Sequence, residues 1–206
     1  MNDKYKSPAD LPKPQPRTDD DFGVDANINL DTIDDYLFID GVVYRDMRLL
    51  EDSCEFDKVG GARELGVCVQ GYAITPLPYI FELGPMRVAG AYRSDCLFSV
   101  DYEGEINALA VHPNYKESLE IVEKLFPRDK VIFLMCGGGG YAAMTRSCLI
   151  ALGYDPDKIY HTGGGWDYAG KCGDTIVTLN EDGTRIIDTN GHQVWSIDFS
   201  RLTPIE

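Results

Sequence analysis

The chain has 206 residues, 44% of them apolar and 26% charged, with a formal net charge of −15. That length suits one elaborated domain burying roughly 70% of its unfolded surface, and the composition is that of an ordinary globular protein rather than a disordered one. Acidity this strong repels polyphosphate backbones and anionic lipid surfaces, and no Lys/Arg cluster reverses it locally, so nucleic acid is excluded as an expected partner.

No apolar run approaches the roughly 18 residues that would span a bilayer, and no apolar segment follows Met1 as in a secretory signal. The opening MNDKYKSPADLPKPQPRTDDDFG is rich in Pro, Lys and Asp with little to bury. Residues 1–27 therefore read as a flexible tether, and the acidic run Asp19 to Asp21 as its solvated part. As given, the chain is expected to be cytoplasmic; were a signal or lipid anchor to precede the tether, the protein would be extracytoplasmic or surface-tethered.

Leu30, Ile33 and Leu37 are spaced for a short helix, with Asn29 or Asp31 as N-cap. Gly41 breaks it, and Val42 to Leu50 reads as a strand. Residues 51–85 form an insertion with at least one strand, near VCVQGYAIT (Val67 to Thr75). A further short apolar stretch is CLFSV, up to Val100. Leu119, Val122 and Leu125 mark one buried helix face, which Pro127 ends. A buried strand at Val131 to Met135, a helix at Ala142 to Leu152 and a strand at Ile159 to His161 follow, with Gly153 fitting the helix C-cap and Pro156 blocking its resumption. Strands alternating with helices predict an α/β fold, a small parallel sheet flanked by helices. From Asp174 the pattern becomes β-run, turn, β-run, with a tight Asn190-Gly191 turn, which predicts an antiparallel β-meander over 174–206.

The six cysteines, Cys54, Cys68, Cys96, Cys136, Cys148 and Cys172, form no CxxC pair and have no histidines at zinc-finger spacing, so no metal site is expected, and no cofactor. Cys148 reads as a buried small hydrophobe. Cys54, Cys68, Cys96 and Cys172 are open between buried thiols and, after export, disulfides.

Cys136 stands apart. The stretch VIFLMCGGGGYAAMTRSCLIALGY runs a buried strand into a cysteine, four glycines and a helix. Amides of such a loop turn inward around a small anion while the helix aims its positive end at the same point. A thiol there is expected to ionise more easily than a free one and to act as a nucleophile.

Several separated pieces together resemble the rhodanese-like domain. They are Asp46-Met47-Arg48 at an early strand end, the Gly90-Ala91 turn, the Cys136 loop with its helix ending in Leu152-Gly153-Tyr154, and HTGGGWDYAG after a late strand. The resemblance covers residues 28–173 around the insertion. It implies a sulfurtransferase or persulfide carrier, moving sulfane sulfur from a small-molecule or protein persulfide donor through a Cys136 persulfide to a thiol or cyanide acceptor. Carried over by position, the amides of Gly137, Gly138, Gly139, Gly140, Tyr141 and Ala142 would cradle that persulfide. Asp46, Arg48, His161 and Trp166 are candidates to stand behind it, read against a structural pair for Asp46 and Arg48, a structural histidine and a core tryptophan. Many active members carry an arginine where this chain has Tyr141, and a phenol cannot replace that charge on thiosulfate, so a persulfide or polysulfide is the expected donor. A binding module without turnover is the alternative. A cysteine-dependent phosphatase or arsenate reductase is disfavoured, since the loop lacks the arginine that would hold a tetrahedral oxyanion.

Overall fold

The computed structural model describes residues 5, 7–49, 67–84, 95–179, 185–189 and 191–206. The first part of the predicted insertion, Cys54, the Gly90-Ala91 turn and Asn190 lie outside them. In chain order the strands are β1 (Val42–Asp46), β2 (Val67–Val69), β3 (Ala73–Ile74), β4 (Phe98–Glu103), β5 (Asn107–Pro113), β6 (Val131–Cys136), β7 (Ile159–Gly164), β8 (Gly173–Thr175), β9 (Val177–Leu179) and β10 (Arg185–Ile187). The helices are a single turn α1 (Leu77–Ile80), then α2 (Ser118–Leu125) and α3 (Gly140–Ala151).

The fold is α/β. A parallel sheet of four strands in the order β3-β1-β6-β7 is accompanied by antiparallel pairs β4-β5, β2-β8 and β9-β10. β6 lies inside the sheet and all six of its residues are buried, as expected of a continuous apolar run covered on both faces. Its alternation divides two cores. Ile132, Leu134 and Cys136 join Val122, Leu125, Met144 and Leu149 on the side of α2 and α3. Val131, Phe133 and Met135 join Ile28, Ile33, Tyr44, Tyr72 and Tyr160 on the other. Val42 to Asp46 pair with Val131 to Met135, and Cys136 pairs with Gly164. The carboxyl ends of β1, β6 and β7 therefore form one rim, where open α/β sheets place their sites.

α3 is stopped as the sequence predicts: Gly153 adopts φ +81°, with Tyr154 N–H donating to the Leu149 carbonyl and Gly153 N–H to that of Ile150, a left-handed C-terminal cap. The predicted helix near Leu30 contracts to a 3-10 turn over Ile33–Tyr36.

Three parts differ from the sequence reading. Residues 7–27 lie along the domain as a strap instead of leaving it. Asp25 N–H donates to the His161 carbonyl at the β7 edge, the Tyr160 hydroxyl donates to the Pro12 carbonyl, and Tyr5 stacks on Tyr36. The buried Asp25 carboxylate gathers the amides of Gln15, Asn27 and Ile28, so a polar segment is fixed by hydrogen bonds where it has little apolar surface to bury. Secondly, β4 and β5 form a hairpin beside α3 that composition shows only as CLFSV. Thirdly, the predicted meander holds only in part: β9 and β10 pair, but QVWSIDF is no third strand. It crosses the open edge of β3 at Ile74, whose N–H donates to the Gln193 carbonyl and whose carbonyl accepts from Trp195 N–H. The edge needed a partner more than the hairpin needed a third strand. Among the described residues no helix is long and apolar enough to cross a membrane.

Candidate active site

Cys136 ends β6 on the α3 side, and its residue is 3% exposed. Gly139 N–H donates to its Sγ at 3.1 Å. Gly139 carries φ +99° as N-cap of α3, a left-handed conformation that a residue with a Cβ adopts at a cost. This turn swings the first amides of the helix back onto the sulfur.

Burial pushes the Cys136 thiol up to about 11; the amide of Ala142 opposes the rise, the Asp46 carboxylate adds to it, and the amides of Gly139 and Tyr141 oppose it too. The expected easy ionisation is thus overturned. The amides do converge, but desolvation of a thiolate outweighs neutral dipoles when no cation is set beside it.

Gly137 and Gly138 serve a different purpose. A Cβ on Gly137 would meet the Trp166 indole at 2.5 Å, and one on Gly138 would meet it at 3.1 Å. The backbone N–H of Trp166 donates to the Gly137 carbonyl. The half-buried indole therefore lies flat on the loop, and glycine is what lets it approach. Gly164 is equally constrained, because its Cβ would fall on the Gly137 carbonyl and the Gly138 backbone. Gly140 begins α3, buried with Tyr141 and Ala142.

Phe22, from the strap, covers the other side, 3.1 Å from where a Gly139 Cβ would stand. Sequence reasoning missed it: one aromatic inside TDDDFG carries no periodicity, and its partner is more than a hundred residues away. Its carbonyl accepts the Nδ1 proton of His161 at 3.1 Å. That leaves the Nε2 lone pair of a residue 1% exposed, and no partner for it among the described residues. Burial holds His161 down to about 4, so the ring is neutral at ordinary pH. His161 flanks the loop, with Nε2 3.7 Å from the Gly139 Cβ position.

Asp46 and Arg48 end β1 as a buried pair, Nε to Oδ1 at 2.9 Å and Nη2 to Oδ2 at 2.5 Å. Arg48 also donates to the Val67 carbonyl, and the Cys68 thiol donates to Asp46 at 3.4 Å. The guanidinium is committed to Asp46 and braces β1 against β2. Arg146 donates weakly to the Ile159 carbonyl, on α3 beyond the loop. The structure thus gathers Cys136, the glycines, Tyr141, Ala142, His161 and Trp166 around one turn, with Asp46 and Arg48 at the neighbouring strand end. No protein-family model, curated protein or solved structure matches the chain.

Proposed function

We propose that the chain is a rhodanese-like sulfurtransferase or persulfide carrier with Cys136 as its sulfur-bearing group. The observation that carries this reading is the Gly139 N–H donating to the Cys136 sulfur at the start of α3, where the amides of Tyr141 and Ala142 also favour the thiolate. The parallel sheet, with Cys136 at the carboxyl end of an interior strand, supports it further. Cys136 gives up its proton and attacks the outer sulfur of a persulfide donor. The donor S–S bond breaks, and the departing thiolate takes the proton. Cys136 then holds one sulfane sulfur as a persulfide anion. An acceptor thiolate attacks that outer sulfur and restores Cys136, so no external oxidant or reductant enters. A persulfide is more acidic than its thiol, so beside the loop amides Cys136 would carry as a persulfide an anion that the parent thiol does not form at neutral pH.

A module that binds without turnover is the second reading, favoured by the burial of Cys136 and by Trp166 and Phe22 packed on its glycine loop. Intact-mass measurement after incubation with glutathione persulfide separates the two. Transfer adds one sulfur to the wild type and none to Cys136→Ser, whereas a binding module gains none in either. Thiosulfate is expected to load the protein poorly, since Arg48 is engaged by Asp46 and the Tyr141 position supplies no cation.

A further inference from the structure

We infer that the cavity at the β3 edge, away from Cys136, is a binding site for a small organic carboxylate, anchored by Arg45. This side chain leaves β1 on the α2 face and its residue is 8% exposed. Nε donates to the Leu125 carbonyl at 2.7 Å and Nη1 to the Tyr44 carbonyl at 3.1 Å, while the guanidinium carbon stands 5.9 Å from the centre of the Trp195 ring. All three partners are neutral. Among the described residues no carboxylate forms an ion pair with Arg45, and the adjacent Asp46 is taken by Arg48 on the opposite face of the strand. Burial alone pushes Arg45 down to about 10, which leaves it cationic at neutral pH.

A full charge this deep is ordinarily paired with its opposite or with a ligand. Arg45 lines a cavity of about 470 Å³ together with Gln70, Tyr72, Asp174, His192 and Gln193, within the size range of small-molecule sites. The polar groups of the far wall are bonded to one another. His192 Nε2 lies 3.1 Å from one Asp174 oxygen, Gln70 donates to the other at 3.0 Å, and His192 Nδ1 faces the Tyr72 carbonyl at 2.9 Å. Arg45 is therefore where an incoming anion finds an uncompensated charge.

The chemistry selects a carboxylate over a phosphate. The remaining Nη protons suit a planar, two-oxygen acceptor. A chain of formal net charge −15 repels a dianion more than a monoanion. Phe38, on the rim, offers apolar surface to a short alkyl chain. β1 separates this edge from β6, so the inference stands independently of the Cys136 chemistry.

The test is titration of the full chain with sodium propionate against sodium chloride at matched ionic strength, read by calorimetry and thermal shift, with phosphate in parallel. Saturable one-to-one binding is expected, weakened about tenfold or more in Arg45→Gln. Because Arg45 also holds the Leu125 carbonyl, Gln193→Trp supplies a second block, filling the cavity from an exposed position with the Arg45 side chain still present. No saturable response in the wild type overturns the site. Binding that survives both variants overturns its location, and binding of phosphate without propionate overturns the ligand class.

Discussion

Two buried thiols, Cys136 at the end of β6 and Cys68 within β2, show what sets a cysteine's chemistry here. Cys136 and Cys68 are both shut from solvent, and burial raises both. Around Cys136 the nearest polar atoms are amide protons, which limit the rise to about 11. Around Cys68 the nearest is the Asp46 carboxylate, which adds to burial; Arg48 only partly offsets it, and the thiol stands higher still. Depth alone does not separate them. The nearest partner does: an amide proton opposes the rise at Cys136, and a carboxylate adds to it at Cys68.

The largest effect that would break this comparison is expected from Gly164→Ala, whose Cβ would fall on the backbone of the Cys136 loop. A loss of ~3 kcal/mol or more in chemical denaturation is predicted. Gly104→Ala, with φ +67° but open space around it, should cost only about 1 kcal/mol. Equal losses would mean that the loop yields easily and that its amides are not held on the sulfur.

Next in size is the pH dependence that His161 imposes. Its folded value of about 4 lies below the usual 6.5, so between those values the unfolded chain binds a proton that the folded chain refuses. Stability from this source is complete above pH 6.5, falls as pH drops through the window and levels off below 4, by up to about 3 kcal/mol. His161→Gln, which keeps a donor for the Phe22 carbonyl, should flatten that part of the profile. An unchanged slope would show that the imidazole beside the loop is not buried as described.

A smaller effect sharpens the contrast between the thiols. With a value of about 11 for Cys136, about one molecule in a thousand carries the thiolate at pH 8. Alkylation by iodoacetamide, followed by peptide mass spectrometry, should therefore be slow at pH 8 and rise steeply with pH. Cys136 should react before Cys68, and Trp166→Ala should accelerate Cys136 several-fold by admitting water to the loop. Faster labelling of Cys68 would reverse the comparison.

Much of the frame was legible in the sequence because it is written locally. Six successive apolar residues specify β6, and Gly153 with Pro156 specifies where α3 stops. The cysteine-glycine junction marks the loop itself. What was not legible depends on distant partners. The strap carries no apolar period, so nothing in TDDDFG announced that Phe22 lies on Gly139. The raised Cys136 value comes from tertiary burial, which a loop motif does not encode. Arg45 looks like any strand residue until Leu125, 80 positions on, and Trp195 enclose it. Gly191 does turn the chain, with φ +80°, yet the following residues meet the unpaired edge of β3, a preference that no local pattern contains.

The most direct test of the central claim is the intact mass of the protein after brief exposure to glutathione persulfide at neutral pH, mapped by peptide digestion. One sulfur atom added at Cys136, absent from Cys136→Ser and unaffected by Cys68→Ser, is the predicted result. A wild type that gains no sulfur, or gains it at Cys68 instead, would contradict the assignment of Cys136 as the sulfur-carrying residue.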